Sequence, residues 1–320
     1  MTERAAVSLV RCHDYEPERV AQAVERQFRL LGGIERFVKP GDRVLLKPNF
    51  IAPRSHRQDP TQTHPEVILA VARLLKDFGA RPFVGDSPGW GDVQSCAEAL
   101  ELVEPLKRLG VPLRQLDKPR THRVGRQGPR VGLSAVALEA DTIINLPKLK
   151  AHGQLLVTLA VKNMFGCVSG KRKALWHYRY GGDPARFCQL LIDICHFLRP
   201  AVTLIDGIVA MERRGPSGGA SRPLGWLIGG ADPLSCETVC CRLLGIDPER
   251  VPLLRAASGM QLDGLDFNRI ELLGDPPGEP LSDFELPTLG PIRFSLCRVL
   301  RSRLRQMWLL ARKPKPAPST

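Results

Sequence analysis

Apolar and polar positions along the chain follow two periods. A stripe of Val20, Ala21, Val24, Phe28 and Leu31 recurs at helical spacing over 18–31 and stops at Gly32-Gly33. A second helix opens at Thr63-x-x-Glu66, a capping-box spacing, and turns Val67, Ile68, Val71, Leu74, Leu75 and Phe78 inward before Gly79. Further helices are predicted over 187–197 and 233–244. Short β-rich runs lie between them at 7–10, 43–47, 81–84, 142–146 and 202–205. Strands alternating with helices predict an α/β fold, a mostly parallel sheet with helices on both faces.

Such sheets bind ligands beyond the carboxyl ends of their strands. Four polar clusters follow apolar runs: Lys47-Pro-Asn49, Asp86-Ser87, Asn145 to Lys148, and Asp206-Gly207. One pocket built from them requires Lys47 and Lys148 to lie within about 20 Å of each other, a few strand spacings apart.

The stretch from Asn145 to Lys171 carries most of the chemistry. Lys148, Lys150, His152 and Lys162 fall within fifteen residues, and no Asp or Glu occurs between Asp141 and Asp183. A solvated helix face mixes acids with lysines, so cations without local counter-ions point to an anionic ligand. A basic surface strip is the plainer reading. Thr158 and Lys162 stand four apart and would share a helical face. Lys162 either meets a distant carboxylate such as Asp86 or Asp206, or waits for a ligand anion with Asn163 fixing its geometry. His152 and His64, beside the polar clusters, are candidate proton carriers, with His177 behind them.

Several chemistries drop out. Gly166-x-x-x-Gly170-Lys171-Arg172 is one residue short of a phosphate-binding P-loop and lacks its Ser or Thr. GxGxxG, HExxH and GxSxG are absent. Asp86, Asp206 and Glu212 are candidates for a divalent metal. The loop from Glu212 to Gly219 has the glycines of a lid or of an ordinary turn.

Composition narrows the setting. Nine cysteines, an odd number without a CxxC, read as reduced thiols, and Cys236 and Cys240 as helix packing. No apolar run reaches the roughly 18–20 residues of a membrane span, and the start has no signal-peptide pattern, so a cytoplasmic address is expected. The net charge of +13 is uneven: residues after Glu285 contain eight Lys or Arg and no acid. Residues 1–290 therefore read as the α/β domain and 291–320 as a basic amphipathic helix with a disordered Pro/Lys end. Leu296, Leu300, Leu304, Met307 and Ala311 form the helix's apolar side, interrupted by Arg303. The tail would pack on the body, an acidic protein or an anionic membrane surface. Four Trp and three Tyr leave little for base stacking, so nucleic acid is not an expected partner.

Six motifs in fixed order carry a resemblance. They are Lys47-Pro-Asn49, Thr63-His-Pro65, Gly85-Asp-Ser-Pro-Gly89, Asn145-Leu-Pro-Lys-Leu-Lys150, Lys162-Asn-Met-Phe-Gly166 and Asp206-Gly-Ile-Val-Ala-Met-Glu212. Over roughly residues 5–260 the chain resembles the prokaryotic domain-of-unknown-function family 362. The resemblance implies an α/β fold. It also implies a frequent C-terminal ferredoxin-like segment with cysteines for a [4Fe–4S] cluster. Only Cys297 follows Ile292, so no iron–sulfur cluster is expected in this chain. Arg213 stands where the family commonly has Gly, and Glu237 where it usually has Asp.

The residues together point to a redox or isomerase enzyme acting on an anionic small molecule. Lys47, Asn49, Asp86, Ser87, Asn145, Lys148 and Asn163 would bind the substrate, and His152, His64, Lys162 and Lys150 would carry the chemistry. The alternative is a non-catalytic or electron-transfer component that docks a ferredoxin-like partner.

Overall fold

The computed structural model describes residues 4–53, 59–170 and 172–292. The basic helix and tail expected at 291–320 lie, from residue 293 onward, outside the described residues.

The chain opens with β1 (Ala6–Arg11), α1 (Pro17–Leu30), β2 (Arg43–Pro48), α2 (Pro65–Asp77) and β3 (Arg81–Asp86). Two short helices, α3 (Val93–Ala99) and α4 (Val103–Arg108), precede β4 (Leu113–Gln115). A separate hairpin, β5 (Pro119–Arg123) and β6 (Arg130–Ser134), leads into α5 (Ala135–Leu138) and β7 (Thr142–Leu146). Then come β8 (Lys148–His152), β9 (Leu156–Thr158), α6 (Ala160–Asn163), α7 (Arg172–Tyr180) and α8 (Pro184–Leu198). The long strands β10 (Val202–Glu212) and β11 (Ala220–Gly230), then α9 (Pro233–Leu243), α10 (Pro252–Gly259) and β12 (Glu271–Gly274), complete the fold.

The main sheet runs β12-β1-β11-β10-β7-β2-β3-β4. Strands β10, β7, β2, β3 and β4 are mutually parallel, and β11 is antiparallel to both of its neighbours. Period-2 alternation sends successive residues to opposite faces. Val44 and Leu46 therefore join the core under α1 to α4, while Leu45 joins the core under α5, α6, α8, α9 and α10. Ile143 and Ile144 divide in the same way, as do Ile205 and Leu204. The expected architecture, helices on both faces of a mostly parallel sheet, is the one observed. Cys236, Cys240 and Cys241 are buried core thiols on α9.

One strand is added and three local expectations are corrected. Residues 148–152 are a strand: β8 extends along the far half of β10, with Asp206 opposite Lys148 and Met211 opposite Lys150. β10 does not stop at Ile205 but continues to Glu212 through an irregularity between Gly207 and Val209, so Asp206 lies inside a strand. The segment 155–161 is not one helix, because Thr158 ends β9 and Lys162 sits on α6; their side chains share no helical face. The cap of α2 is His64, whose Nδ1 accepts from the Glu66 N–H at 3.2 Å. Thr63 instead ties two loops together, accepting from the Asn49 N–H and donating to the Leu146 carbonyl.

Candidate functional site

Parallel register lines up three polar residues on one face at the carboxyl edge. Lys47 of β2 is opposite Asn145 of β7, which is opposite Thr203 of β10. Asn145 donates to Thr203 Oγ1 at 3.2 Å and to the Ala160 carbonyl at 3.0 Å. Asn163, on α6, donates to Asn145 Oδ1 at 2.8 Å and to the Lys47 carbonyl at 2.9 Å. It also accepts from Asn49 Nδ2 at 3.2 Å. The short helix α6 is thus clamped onto the strand ends by amide side chains. Its N-terminus is held by a residue of α9: Glu237 Oε1 accepts from the Val161 N–H at 2.7 Å. Burial raises the Glu237 carboxyl to about 8 despite that bond.

Two buried ion pairs flank this clamp. Lys47 Nζ meets Asp86 Oδ1 at 2.9 Å and donates to the Pro48 carbonyl at 2.6 Å. Asp86 also accepts from the Phe50 and Ser87 N–H groups, so both carboxylate oxygens are engaged. Lys148 Nζ meets Asp206 Oδ2 at 2.8 Å and donates to the Tyr15 hydroxyl at 2.6 Å. Tyr15 in turn donates to Asp206 Oδ1 at 2.7 Å and stacks on His64 with ring centroids 3.6 Å apart. The His64 N–H donates to Asp206 Oδ2. The two pairs belong to one edge. Lys47 neighbours Asn145 at a strand spacing of about 4.8 Å, and three more residues reach Lys148 within about 11 Å of chain. The separation stays inside the 20 Å that a shared site requires.

Alternation along β8 places Lys148, Lys150 and His152 on one face. Among the described residues, Lys148 is the one of the three with a carboxylate in ion-pair distance. Lys150 is fully buried, and its one hydrogen bond among the described residues goes to the Thr61 carbonyl at 2.7 Å. Burial first, then the charges of Lys162 and Lys148, hold its amine well below the usual lysine value. His152 is pushed well below the usual histidine range by burial, Lys162 and Lys150. Its Nδ1 accepts from the Gln154 N–H at 3.1 Å, which leaves the ring proton on Nε2. Lys162 has no carboxylate within ion-pair distance among the described residues. Burial and Lys173 bring it down to about 8. Asp86 and Asp206, the partners considered for it, are taken by Lys47 and Lys148.

Other groups complete the surroundings. Burial and Lys162 depress His177 to about 3, against the opposing effect of its hydrogen bond to the Ile292 backbone. Lys173 donates to the Ser87 carbonyl, and burial lowers it to about 8. Thr158 is opposite Lys150 in the β8–β9 pair, and its buried Oγ1 has no hydrogen-bond partner among the described residues. Asn49 Oδ1 and Gln62 Nε2 are likewise buried and unsatisfied. Buried polar atoms without partners are rare in proteins and collect at working sites.

The candidate metal set is not assembled. Among the described residues no group of three or more His, Cys, Asp or Glu is placed to hold a metal ion. Glu212, at the end of β10, accepts from the Glu285 N–H instead. The loop after it is the β10–β11 hairpin turn, in which Arg213 adopts φ 69° and pairs with Glu285. A left-handed backbone is where glycine is easiest, which accounts for the family's preference there. Sequence reasoning missed Tyr15, Lys173, Thr61 and Gln62 as parts of this edge. It noted Glu237 only as a departure from the family.

Gly166 has a steric reason. A Cβ there would stand 2.5 Å from Asp86 Oδ1 and 2.6 Å from Lys47 Nζ. The glycine lets the backbone pass directly over the ion pair.

The chain belongs to the DUF362 family: the model of this domain of unknown function matches residues 44–242. Thylakoid-associated protein sll1697 of Synechocystis sp. (strain ATCC 27184 / PCC 6803 / Kazusa) is 37% identical over 305 residues, 95% of each chain. Among solved structures, the lactate racemase apoprotein from Thermoanaerobacterium thermosaccharolyticum aligns with a TM-score of 0.47 and 12% identity. That alignment covers 73% of this chain and 57% of the racemase, a likeness too loose to carry chemistry across. Among the described residues no helix is long and apolar enough to cross a membrane.

Paired and unpaired lysines must respond oppositely to removal. Lys47→Met strands the buried Asp86 carboxylate and should destabilise the fold by about 3–5 kcal/mol. Lys162→Met strands nothing and should hold or raise stability at pH 7. Lys162 is lowered in the folded state to about 8 from 10.5, so its charge opposes folding below pH 8. That opposition fades as pH rises through 8 toward 10.5. The advantage of Lys162→Met should shrink over that window, as urea melts of both chains will read.

Gly166→Ala tests the close approach independently. With Lys47 and Asp86 unable to retreat into solvent, the added methyl should cost about 2–3 kcal/mol. A melt within 0.5 kcal/mol of the parent would show that the pair has room to shift.

Proposed function

We propose that this member of the DUF362 family is an enzyme of the isomerase type. It would move a proton on an anionic small molecule bound beside β8 and α6. The observation that carries the reading is the under-compensated cluster: Lys150 and His152 are buried, Lys162 is half-buried beside them, and none of the three has a carboxylate within ion-pair distance among the described residues. Folding gains nothing from such an arrangement, since each buried charge or amine there costs stability. An anionic ligand reverses that cost.

Roles follow from the local environment of each group. Lys150, whose amine is held well below its usual value, is the base: its Nζ lone pair takes a proton from carbon next to a carbonyl or carboxylate. The electron pair left behind becomes an enolate. Lys162 in its ammonium form, and the Nε2–H of His152, face that developing charge as cation and donor. Returning the proton from Lys150 to a second carbon conjugated with that enolate completes the shift and regenerates the amine. Proton transfer is the reaction type for which every role has a side chain here, and a general acid–base step of this kind contributes about 10²–10⁴-fold. Lys47, Asn49, Asn145 and Asn163 serve by fixing α6, and with it Lys162, on the strand ends.

The test is solvent exchange. The purified chain in D2O, offered pools of 2-hydroxy, 2-oxo and amino carboxylates, should wash deuterium into a C–H position next to the carboxylate or the carbonyl of one compound. Lys150→Met should reduce exchange by at least 10²-fold while the fold persists. Binding should weaken above about pH 8, where Lys162 loses its charge. Exchange that survives Lys150→Met, or binding that stays flat from pH 7 to 10, would defeat this assignment.

A further inference from the structure

The opposite edge of the sheet carries an arrangement that the proposed chemistry does not use. Arg43 starts β2 and Arg81 starts β3, and the parallel register sets them directly side by side. Neighbouring strands lie about 4.8 Å apart, and like charges placed across from one another are unfavourable. Arg114 of β4 is opposite Gly85, two pleats along the same face. Lys76, from the last turn of α2, is the fourth cation. All four are exposed.

These side chains border one cavity of about 510 Å³, whose other walls include Phe83, Gly110 and Val136. Among its lining residues the single acid is Glu139, already bound by Arg120 at 2.6 Å. The Arg81 guanidinium is steadied by the Gly41 carbonyl at 2.7 Å. The side chains of Arg43, Lys76 and Arg114 have no hydrogen bond or ion pair to another described residue. Four cations therefore border a concavity of ligand size whose one lining acid is already paired, with the nearby Asp141 carboxylate engaged by the Arg43 backbone N–H, and small-molecule sites span roughly 300–1,000 Å³.

We infer that this cavity is a second anion site, binding a small molecule with a diphosphate-like charge cluster. Multiple charges are specified by the number of cations, and phosphoryl oxygens by the guanidinium forks that match them two at a time. Arg43 and Arg81 stand at the amino ends of β2 and β3, a strand length from the catalytic edge, and none of the residues assigned to the chemistry lines the cavity. A ligand here meets none of the groups that would do chemistry, so its role is that of an effector or anchor.

Inorganic pyrophosphate is the probe, titrated calorimetrically into the full chain at low and at physiological salt. The expected result is saturable binding that weakens with salt and drops at least ten-fold in the Arg43→Ala/Arg114→Ala double variant. Ligand-free thermal stability of that variant should be unchanged or raised, since it relieves like-charge crowding. Binding at this edge should persist in Lys150→Met, which separates its fate from that of the proposed reaction. Absence of saturable binding, equal affinity in the double variant, or a ligand-free melt several degrees lower would each overturn the inference. So would capture of an acidic polyglutamate peptide with no response to pyrophosphate, which would assign the face to a protein partner.

Discussion

A buried ammonium requires a carboxylate, a set of acceptors or the loss of its proton, and this requirement organises the carboxyl edge of the sheet. Lys47, Lys148, Lys150, Lys162 and Lys173 gather there, and ion-pairing aspartates are present for two of them. Lys47 and Lys148 take Asp86 and Asp206. The remaining acceptors of those aspartates are filled by Phe50 and Ser87 in one case and by Tyr15 and His64 in the other. Each pair then acts as a knot joining a strand end to the loops around it. Gly166 exists as glycine because one knot leaves no space for a side chain over it. The other three have no ion pair among the described residues: Lys150 is fully buried, Lys162 and Lys173 are half-buried, and all three, like the paired Lys148, are depressed below the ordinary lysine value.

That division separates scaffold from chemistry more sharply than position does. Lys148 and Lys150 are two residues apart on one strand face and equally buried, yet one has an aspartate and a tyrosine while the other has a single carbonyl. Asn145 and Asn163, which resemble substrate-binding residues in their motifs, spend their amide groups on each other and on backbone. Their work is to hold α6, a helix of four residues that could not persist alone. Glu237 adds the N-terminal acceptor that this short helix needs. Asp86 and Asp206 belong with the scaffold for the same reason: a divalent cation would have to displace a buried lysine from each.

Much of the architecture was legible because buried strands and amphipathic helices leave strong periods. The clusters at Lys47, Asp86 and Asn145 were legible because polar residues directly after apolar runs mark strand ends. What escaped had local signals that were weak or overruled. Lys-Leu-Lys-Ala-His at 148–152 alternates with period 2 and was readable as a strand. Its charge content hid it, since a lysine-bearing face is expected to meet solvent. Thr63 has the better capping chemistry, yet His64 caps the helix because Thr63 is needed between Asn49 and Leu146. Tyr15 had no signal at all, since its partners lie 133 and 191 residues away. Thr158 and Lys162 kept their proximity in sequence but lost their common face when the chain turned from β9 into α6.

The under-compensated groups act on one another electrostatically. Lys162 depresses Lys150, His152 and His177 together, and Lys173 depresses Lys162. Strongly interacting sites release protons as a group, so the state of one changes the proton affinity of all. The cover over this set comes from sequence-distant backbone. Gly290 donates to the Gly153 carbonyl, and Gln154 donates to the carbonyls of Pro291 and Ile292. Burial is the first cause of the displacement of Lys150, His152 and Lys162 from their usual values. An anion arriving there would raise every one of these proton affinities at once, drawing Lys162 toward its charged form. Among the described residues none of the set is ion-paired, and that makes such a response possible, because a cation already neutralised by its own aspartate has little charge left to answer a ligand.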